Sequence, residues 1–512
     1  MTTTPPRHAS HTRIPQVTPQ PSAGGRQGTM TGQVRAGCAV RDRTLVVSTE
    51  SFLARPGRPG PPRRISLPLP YVSPALVRFL ATEAGGAILL LATTVLALVW
   101  ANLPGAGYET LWTTRTLVQA GNLSMSLDVR HWVNDGAMAI FFLVVGLEIS
   151  REVTVGELRN RRAVIVPALG ALGGLVAPAL LYLAFEHSGP AAAGWGIPMS
   201  TDTAFLIGIL ALFGPRCPDQ LRLFLLTLAI VDDIGAITVM AVFYTVHVSM
   251  VALAVAFGLV VVLAILRWVG VWQLAPYLFV GVALWGAVYA SGVHPTLAGV
   301  LVGLLIPASR VDAEQGEQLR FYGRAVIEHA NPVRARLAVS AARATVPAND
   351  RLQDALHPIS AFVVVPLFGL ANAGVRLDAT ALRSAVTSGV TIGVVVGLLA
   401  GNALGISAGS GLALRTGLGD LPGRVRYGHL IGGAVLAGIG FTISLFITDL
   451  AFSDEQLRQD AKIGVLVGSL LAAVLGSILL RFLGERLPLC SLDETTGPPP
   501  LPAGPWRDPT LA

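Results

Sequence analysis

Charge is what this sequence has least of. Of its 512 residues only 13% are Asp, Glu, Lys or Arg, and Lys462 is the one lysine in the chain. A soluble domain keeps about a quarter of its residues charged. Here runs such as Ala87 to Ala101 and Val251 to Leu266 are apolar all round, with no polar stripe to face water. Cysteine is also sparse: Cys38, Cys217 and Cys490 are too few and too scattered for a disulfide framework or a thiolate metal site. No G-x-x-x-x-G-K-[ST] string occurs, so no P-loop nucleotide site is expected. The amino end lacks a basic n-region, short apolar core and small-residue cleavage site in that order, so no cleaved signal peptide is expected either.

What is present is apolar. Hydrophobic residues make up 52% of the chain and the mean hydropathy is +0.62, which points to a membrane protein with the lipid bilayer as its principal partner. The formal charge of +7 suggests nucleic-acid binding only until it is placed along the chain. Residues 1–76 hold ten arginines against Asp42 and Glu50, leaving a nearly neutral body, so no nucleic-acid partner is expected. That Pro/Gly/Ser/Thr-rich tail, with Met30 as an alternative start, and residues 486–512 read as disordered, because neither can bury enough apolar area to offset its ordering entropy. Residues 77–485 form the membrane domain.

Stretches long enough to cross about 30 Å of hydrocarbon, roughly 20 helical residues each, number twelve. They lie near 80–101, 131–149, 163–185, 193–214, 221–246, 250–267, 275–291, 294–307, 358–374, 387–413, 428–450 and 462–483. The fold class is therefore an all-α polytopic membrane protein. Loop arginines alternate in side. The tail, Arg151 to Arg162, Arg216 and Arg222, Arg267, the seven arginines from Arg310 to Arg351, Arg415 to Arg426, and Arg481 with Arg486 fall together, whereas the loops at Glu186, His247 and Ser291 carry no Arg or Lys. Both termini are thus expected in the cytoplasm, with the protein in the cell inner membrane. Period-2 alternation around a turn at 117–127 predicts a small extracytoplasmic β-hairpin. The arginine-rich stretch 308–356 reads as a solvated cytoplasmic connector.

Ionisable groups deep in a bilayer are costly and mark functional sites. Asp232 and Asp233 stand mid-span in L-A-I-V-D-D-I-G-A-I, and Asp202 stands in I-P-M-S-T-D-T-A-F. Two adjacent carboxylates in hydrocarbon cannot both stay ionised without a counter-charge. Bound protons or a small hard cation ligated by oxygen relieve that penalty, and competition between the two, in a site open to one side at a time, is antiport. The fourth span also carries Pro198, Ser200, Thr201 and Thr203, a composition suited to an unwound segment; A-G-I-G-F-T-I-S at 437–444, with Gly438, Gly440 and Thr442, is its counterpart in the eleventh. Two broken helices in corresponding places, with spans 3–5 and 10–12 as inverted repeats, would put half-helix dipoles and free carbonyls at a midplane ion site.

Five strings, N-D-G-A-M-A-I-F-F-L-V-V-G-L-E (134–148), S-T-D-T-A-F (200–205), L-A-I-V-D-D-I-G-A-I (228–237), S-G-V-H-P-T-L-A-G (291–299) and G-I-G-F-T-I-S-L-F-I (438–447), occur in the order of the NhaA Na+/H+ antiporters, which the chain resembles over roughly residues 78–483. That family is itself an established inverted-repeat architecture, so the paired interruptions are not independent support for it. The resemblance implies a secondary transporter, not an enzyme, that extrudes Na+ (or Li+) in exchange for H+ for sodium and pH homeostasis, driven by ion gradients and using no cofactor. Asp232 and Asp233 would carry the Na+ and the protons. Thr201 and Asp202 would shape the crossing, Asp135 would line the ion path, Glu148 would belong to the entrance and pH-sensing region, and His294 would modulate the pH response. The hairpin 117–127 would be a homodimer contact.

One departure stands out. Where the family commonly has a lysine in the tenth span this chain has Asn402, which can hydrogen-bond but not titrate. Altered stoichiometry, weaker pH activation or a more acidic operating range follow as expectations. The alternatives are a sodium-coupled symporter or pH-regulated channel on the same scaffold, or an intramembrane aspartyl protease, whose G-x-G-D string occurs here only at residues 417–420, between the tenth and eleventh spans. The orientation is directly testable. With Cys38, Cys217 and Cys490 replaced by serine, Glu186→Cys should react with an impermeant maleimide in intact cells, and Arg336→Cys only in everted vesicles. The reverse pattern would invert the topology.

Overall fold

The computed structural model describes residues 83–486 apart from residues 106, 121–122, 157–160, 214–218, 246–247, 272, 309–312 and 420–426. The amino-terminal tail, the carboxy-terminal tail beyond Arg486, the three cysteines and the hairpin turn lie outside the described residues.

The chain is mostly helical. In order it forms α1 (Glu83–Asn102), a single turn α2 (Tyr108–Trp112), strands β1 (Arg115–Ala120) and β2 (Leu123–Asp128), then α3 (Val129–Thr154) and α4 (Arg161–Phe185). A 3-10 segment (Pro190–Met199) precedes α5 (Thr203–Phe213), α6 (Asp219–Phe243), α7 (Met250–Val269), α8 (Leu274–Ser291) and the short α9 (Thr296–Leu305). There follow α10 (Ala313–Glu328), α11 (Pro332–Thr345), α12 (Ala348–Asn372), α13 (Ala379–Thr387), α14 (Gly389–Arg415), α15 (Tyr427–Leu436), α16 (Phe441–Ala451) and α17 (Glu455–Arg486). β1 and β2 pair antiparallel, with Arg115 opposite Asp128 and Ala120 opposite Leu123.

Among the described residues nine helices, α1, α3, α4, α6, α7, α8, α12, α14 and α17, are long and apolar enough to span a bilayer, and α15 with α16, bent by 47°, counts as a tenth. This is a multi-pass membrane protein. Its outward faces carry the apolar residues: on α1, Leu91, Val95 and Val99 stand four apart and are each about half exposed, and Val251 and Trp268 on α7 project almost freely. In water such faces would drive association; in lipid they meet a solvent as apolar as themselves. The interior is closed by small residues. A Cβ built on Gly173 of α4 would lie 2.0 Å from the carbonyl oxygen of Gly405 on α14, so these two helices approach backbone to backbone.

Among the described residues three helices contain a π-turn: Trp132–Ala137 in α3, Ser360–Val364 in α12 and Gly397–Gly401 in α14. Such turns widen the helix and release a backbone carbonyl, and they concentrate at functional sites. The first contains Asp135 and the last ends one residue before Asn402.

The stretch 308–356, expected as a solvated connector, carries helices of its own. It folds into α10 and α11, and α12 begins at Ala348, ten residues before the expected span. The cause is local capping. Asn331 accepts the Arg334 N–H at 2.8 Å and Pro332 sits at the first helical position, the arrangement that starts a helix. Asn349 is wholly buried; its N–H donates to the Pro307 carbonyl at 3.2 Å and its side-chain amide to the Leu147 carbonyl at 3.0 Å. Hydropathy missed this turn because it is polar.

The α4–α14 approach makes a prediction. Gly173→Ala should lower the melting midpoint in detergent, at a cost of about 1–3 kcal/mol for the forced separation. Gly258→Ala on α7, where an added Cβ meets nothing within 4 Å, should leave it unchanged or slightly raised.

Candidate functional site

The helical path between the 3-10 segment and α5 is interrupted at residues 200–202, and that between α15 and α16 at 437–440. The two interruptions touch. The Asp202 N–H donates to the Ile439 carbonyl at 2.5 Å, and the Thr442 N–H donates to Asp202 Oδ2 at 2.9 Å. The Thr442 hydroxyl donates to the same oxygen, the Phe205 N–H reaches Asp202 Oδ1 at 3.1 Å, and Ser444 Oγ donates to the Ile197 carbonyl at 2.6 Å. A Cβ on Gly440 would stand 2.7 Å from the Ser200 carbonyl oxygen, and one on Gly438 would stand 2.3 Å from the Leu398 carbonyl oxygen. Glycine is what lets the chains cross this closely.

Both central carboxylates face this crossing from α6, which runs unbroken beside it. Asp232 Oδ2 accepts the Thr201 N–H at 2.7 Å, and Asp233 Oδ2 accepts from the Thr203 hydroxyl at 3.3 Å. Asp202, Asp232 and Asp233 are all at most 5% exposed, and Ser200 and Thr201 are as deeply buried. The charges of Asp232, half-buried Glu148 of α3 and Asp202 all act on Asp233. Asn402 is 1% exposed; its amide donates to the Pro198 and Leu398 carbonyls, each at 3.2 Å, and so ties α14 to the last turn of the 3-10 segment.

Several oxygens here have no hydrogen-bond partner: Asp232 Oδ1, Asp233 Oδ1, Ser200 Oγ and Asn402 Oδ1. Buried oxygen acceptors without donors are costly, and a proton or a small hard cation is the chemistry that satisfies them. No group of three or more His, Cys, Asp or Glu able to hold a metal ion occurs among the described residues.

Two expected residues are not brought to the crossing. His294 precedes α9, and its Nε2 hydrogen-bonds the Tyr244 carbonyl at 2.9 Å, at the end of α6 about 18 Å along the helix from Asp232. Asp135 lies about 20 Å along α3 from Glu148. Its carbonyl accepts the Trp285 indole N–H at 2.8 Å, beside the stacked rings of Trp132, Trp285 and Tyr289.

A second polar group went unread in the sequence: Asp449 of α16, Lys462 of α17, Asn134 of α3 and Asn372 of α12. Lys462 Nζ lies 2.9 Å from Asp449 Oδ1. Asp449 stands at the last turn of the expected eleventh span, where the rule that singled out the mid-span aspartates has less force.

Taken together, these are a polytopic helical membrane protein with a crossing of interrupted helices and paired buried carboxylates against it, a construction suited to moving ions. The Na+/H+ antiporter 1 family model matches residues 77–480, and the chain belongs to that family. It is 63% identical over 458 residues to Na(+)/H(+) antiporter NhaA 3 of Frankia alni, covering 89% of this chain and 98% of that one. It is 44% identical over 417 residues to an NhaA antiporter of Bordetella parapertussis, covering 81% of this chain and 98% of that one. With Na(+)/H(+) antiporter NhaA 1 of Mycobacterium sp. (strain JLS) it shares 46% identity over 402 residues, 78% of this chain and only 66% of the mycobacterial one.

The Asp202–Thr442 contact carries a prediction. Thr442→Val keeps the backbone donor and loses the hydroxyl, which should cost about 1.5–3 kcal/mol for a hydrogen bond to a charged group. The melting midpoint in detergent should fall, and Thr442→Ser should restore it.

Proposed function

We propose that the protein exchanges Na+ (or Li+) for H+ across the inner membrane, with Asp232 and Asp233 as the shared binding site. It is a secondary transporter and not an enzyme, and it needs no cofactor. The observation that carries the reading is the pair of buried carboxylates whose outer oxygens lack donors, set beside two interrupted helices in a chain of the Na+/H+ antiporter 1 family. A carboxylate must lose its proton to ligate Na+, so apparent Na+ affinity rises with pH, and each species drives the other in reverse.

On this reading the 3-10 segment with α5, and α9 with the residues flanking it, complete twelve crossings. Spans 3–5 and 10–12 are inverted repeats meeting at Asp202, and the interrupted spans are the moving parts. Thr201, Ser200, Gly438, Gly440 and Thr442 hold the crossing, Glu148 adds charge at its entrance, Asp135 lines the path, and His294 fixes the end of α6. Both termini are cytoplasmic. Six basic residues, Arg115, Arg130, Arg376, Arg383, Arg458 and Lys462, stand on the opposite ends, against the larger arginine set of the cytoplasmic loops. The β-hairpin is the contact of a homodimer.

The test is a ΔpH-dequenching assay in everted vesicles from antiporter-deficient cells, with NaCl or LiCl added across pH 6 to 9. Cation-dependent dequenching that strengthens toward alkaline pH and disappears in Asp233→Asn is the expected result. No response from a wild-type protein present in the membrane overturns the proposal. A potential-sensitive dye in the same vesicles reads whether the exchange carries net charge, which non-titrating Asn402 puts at issue.

A further inference from the structure

The one lysine of the chain is buried. Lys462 is 6% exposed, and its ammonium is paired at 2.9 Å with Asp449, whose side chain is 12% exposed. Around the pair stand two amides. Asn134 Nδ2 approaches Asp449 Oδ2 at 3.4 Å and Asn372 Oδ1 at 3.3 Å, while Asn372 Nδ2 donates to Asn134 Oδ1 at 2.7 Å. The four side chains come from four elements, α3, α12, α16 and α17. Arg130, which bonds both carboxylate oxygens of Glu109, and Tyr108 also act on the Asp449 charge.

Stability does not explain this arrangement. Desolvating two charges costs about what their attraction returns, and apolar side chains of similar volume usually serve as well or better. The position of the pair is informative. Asp449 lies on α16 seven residues, about 10 Å, beyond Thr442, the residue that bonds Asp202. Asn134 directly precedes Asp135 in the π-turn of α3. The group therefore stands between the crossing and the end of the molecule that carries the hairpin. Asp449 Oδ2 has only the long Asn134 contact, and a carboxylate can accept about four hydrogen bonds. Asn134 can turn its amide oxygen toward Asp449 without changing the volume it fills, and Asn372, whose Oδ1 meets the same Asn134 Nδ2, stands directly behind it.

We propose that Asp449, with the amide oxygens of Asn134 and Asn372, is a second binding station for a monovalent cation, held in this state by the tethered ammonium of Lys462. The inference rests on the exchange reading above. A cargo ion passing between the crossing and the hairpin side displaces the ammonium from the carboxylate and is displaced by it in turn. The aspartate is then neutralised at every stage, and the ion is not bound so tightly that it cannot leave.

The test is the initial rate of Na+-dependent exchange in right-side-out and everted vesicles, giving a KM for Na+ at each face. Lys462→Met removes the internal competitor and should lower the outer-face KM. Asp449→Asn, and the charge-free Lys462→Met/Asp449→Asn pair, remove the station and should raise it. Each shift should be about tenfold, equivalent to about 1.4 kcal/mol, with the inner-face KM within about twofold of wild type. Because the double variant buries no unpaired charge, it keeps the test readable if a single variant fails to fold. A KM that shifts alike on both faces, single variants that shift it in the same direction, or a double variant with an unchanged outer-face KM overturns the station. Wild-type exchange in the same vesicles reports the exchange reading itself, so the two failures are told apart.

Discussion

The carboxylate of Asp202 is bonded by both arms of the crossing at once, from Phe205 on its own side and from the backbone and hydroxyl of Thr442 on the other. An interrupted helix in hydrocarbon strands polar backbone groups that water would otherwise satisfy, and irregular backbone survives at that depth only where protein or a cavity takes over. Here each interruption satisfies the other. Asp202 gives its N–H to Ile439, Ser444 closes on Ile197, and Thr201 gives its N–H to Asp232. The last of these bonds ties the crossing to the carboxylate pair, so a change in the charge of Asp232 is felt directly in the backbone of the interrupted segment.

This coupling gives a physical route from chemistry to movement. Protonated, Asp232 is a weaker acceptor for Thr201; ionised, it is a stronger one and needs a cation to offset its burial. On the proposed reading, a proton or ion bound at the pair would bias how firmly the crossing is held, with the close α4–α14 contact beside it as the part to move against. Differential interaction of the cargo with two arrangements is what any such bias requires. Asn402 sits where α14 meets the 3-10 segment and offers fixed dipoles with no charge of its own.

Much of this was legible in the chain because the bilayer imposes length and polarity so strictly. Asp232 and Asp233 stood out as charges in an apolar run, and the Pro198-to-Thr203 and A-G-I-G-F-T strings announced residues that do not continue a helix. Other features were not legible, for equally physical reasons. The π-turns at Trp132–Ala137 and Gly397–Gly401 change hydrogen-bond register by one residue and leave no compositional mark. The first turns of α12 are polar yet anchored through Asn349, so hydropathy placed the helix start ten residues late. Asp449 and Lys462 were separable in sequence only as two charges near span ends, since their pairing depends on how α16 folds back on α17. His294 carried a motif, but a motif does not reveal that its ring is occupied by the Tyr244 carbonyl.

The central claim is that Na+ and protons compete for the Asp232–Asp233 pair. The most direct measurement is proton release from the purified protein in weakly buffered detergent when NaCl is added at alkaline pH, with choline chloride as the ionic-strength control. The account predicts release on Na+ and Li+ but not on choline, lost when both aspartates are changed to asparagine. Na+ addition without proton release from a folded wild-type protein, or release that persists in the double variant, would contradict it.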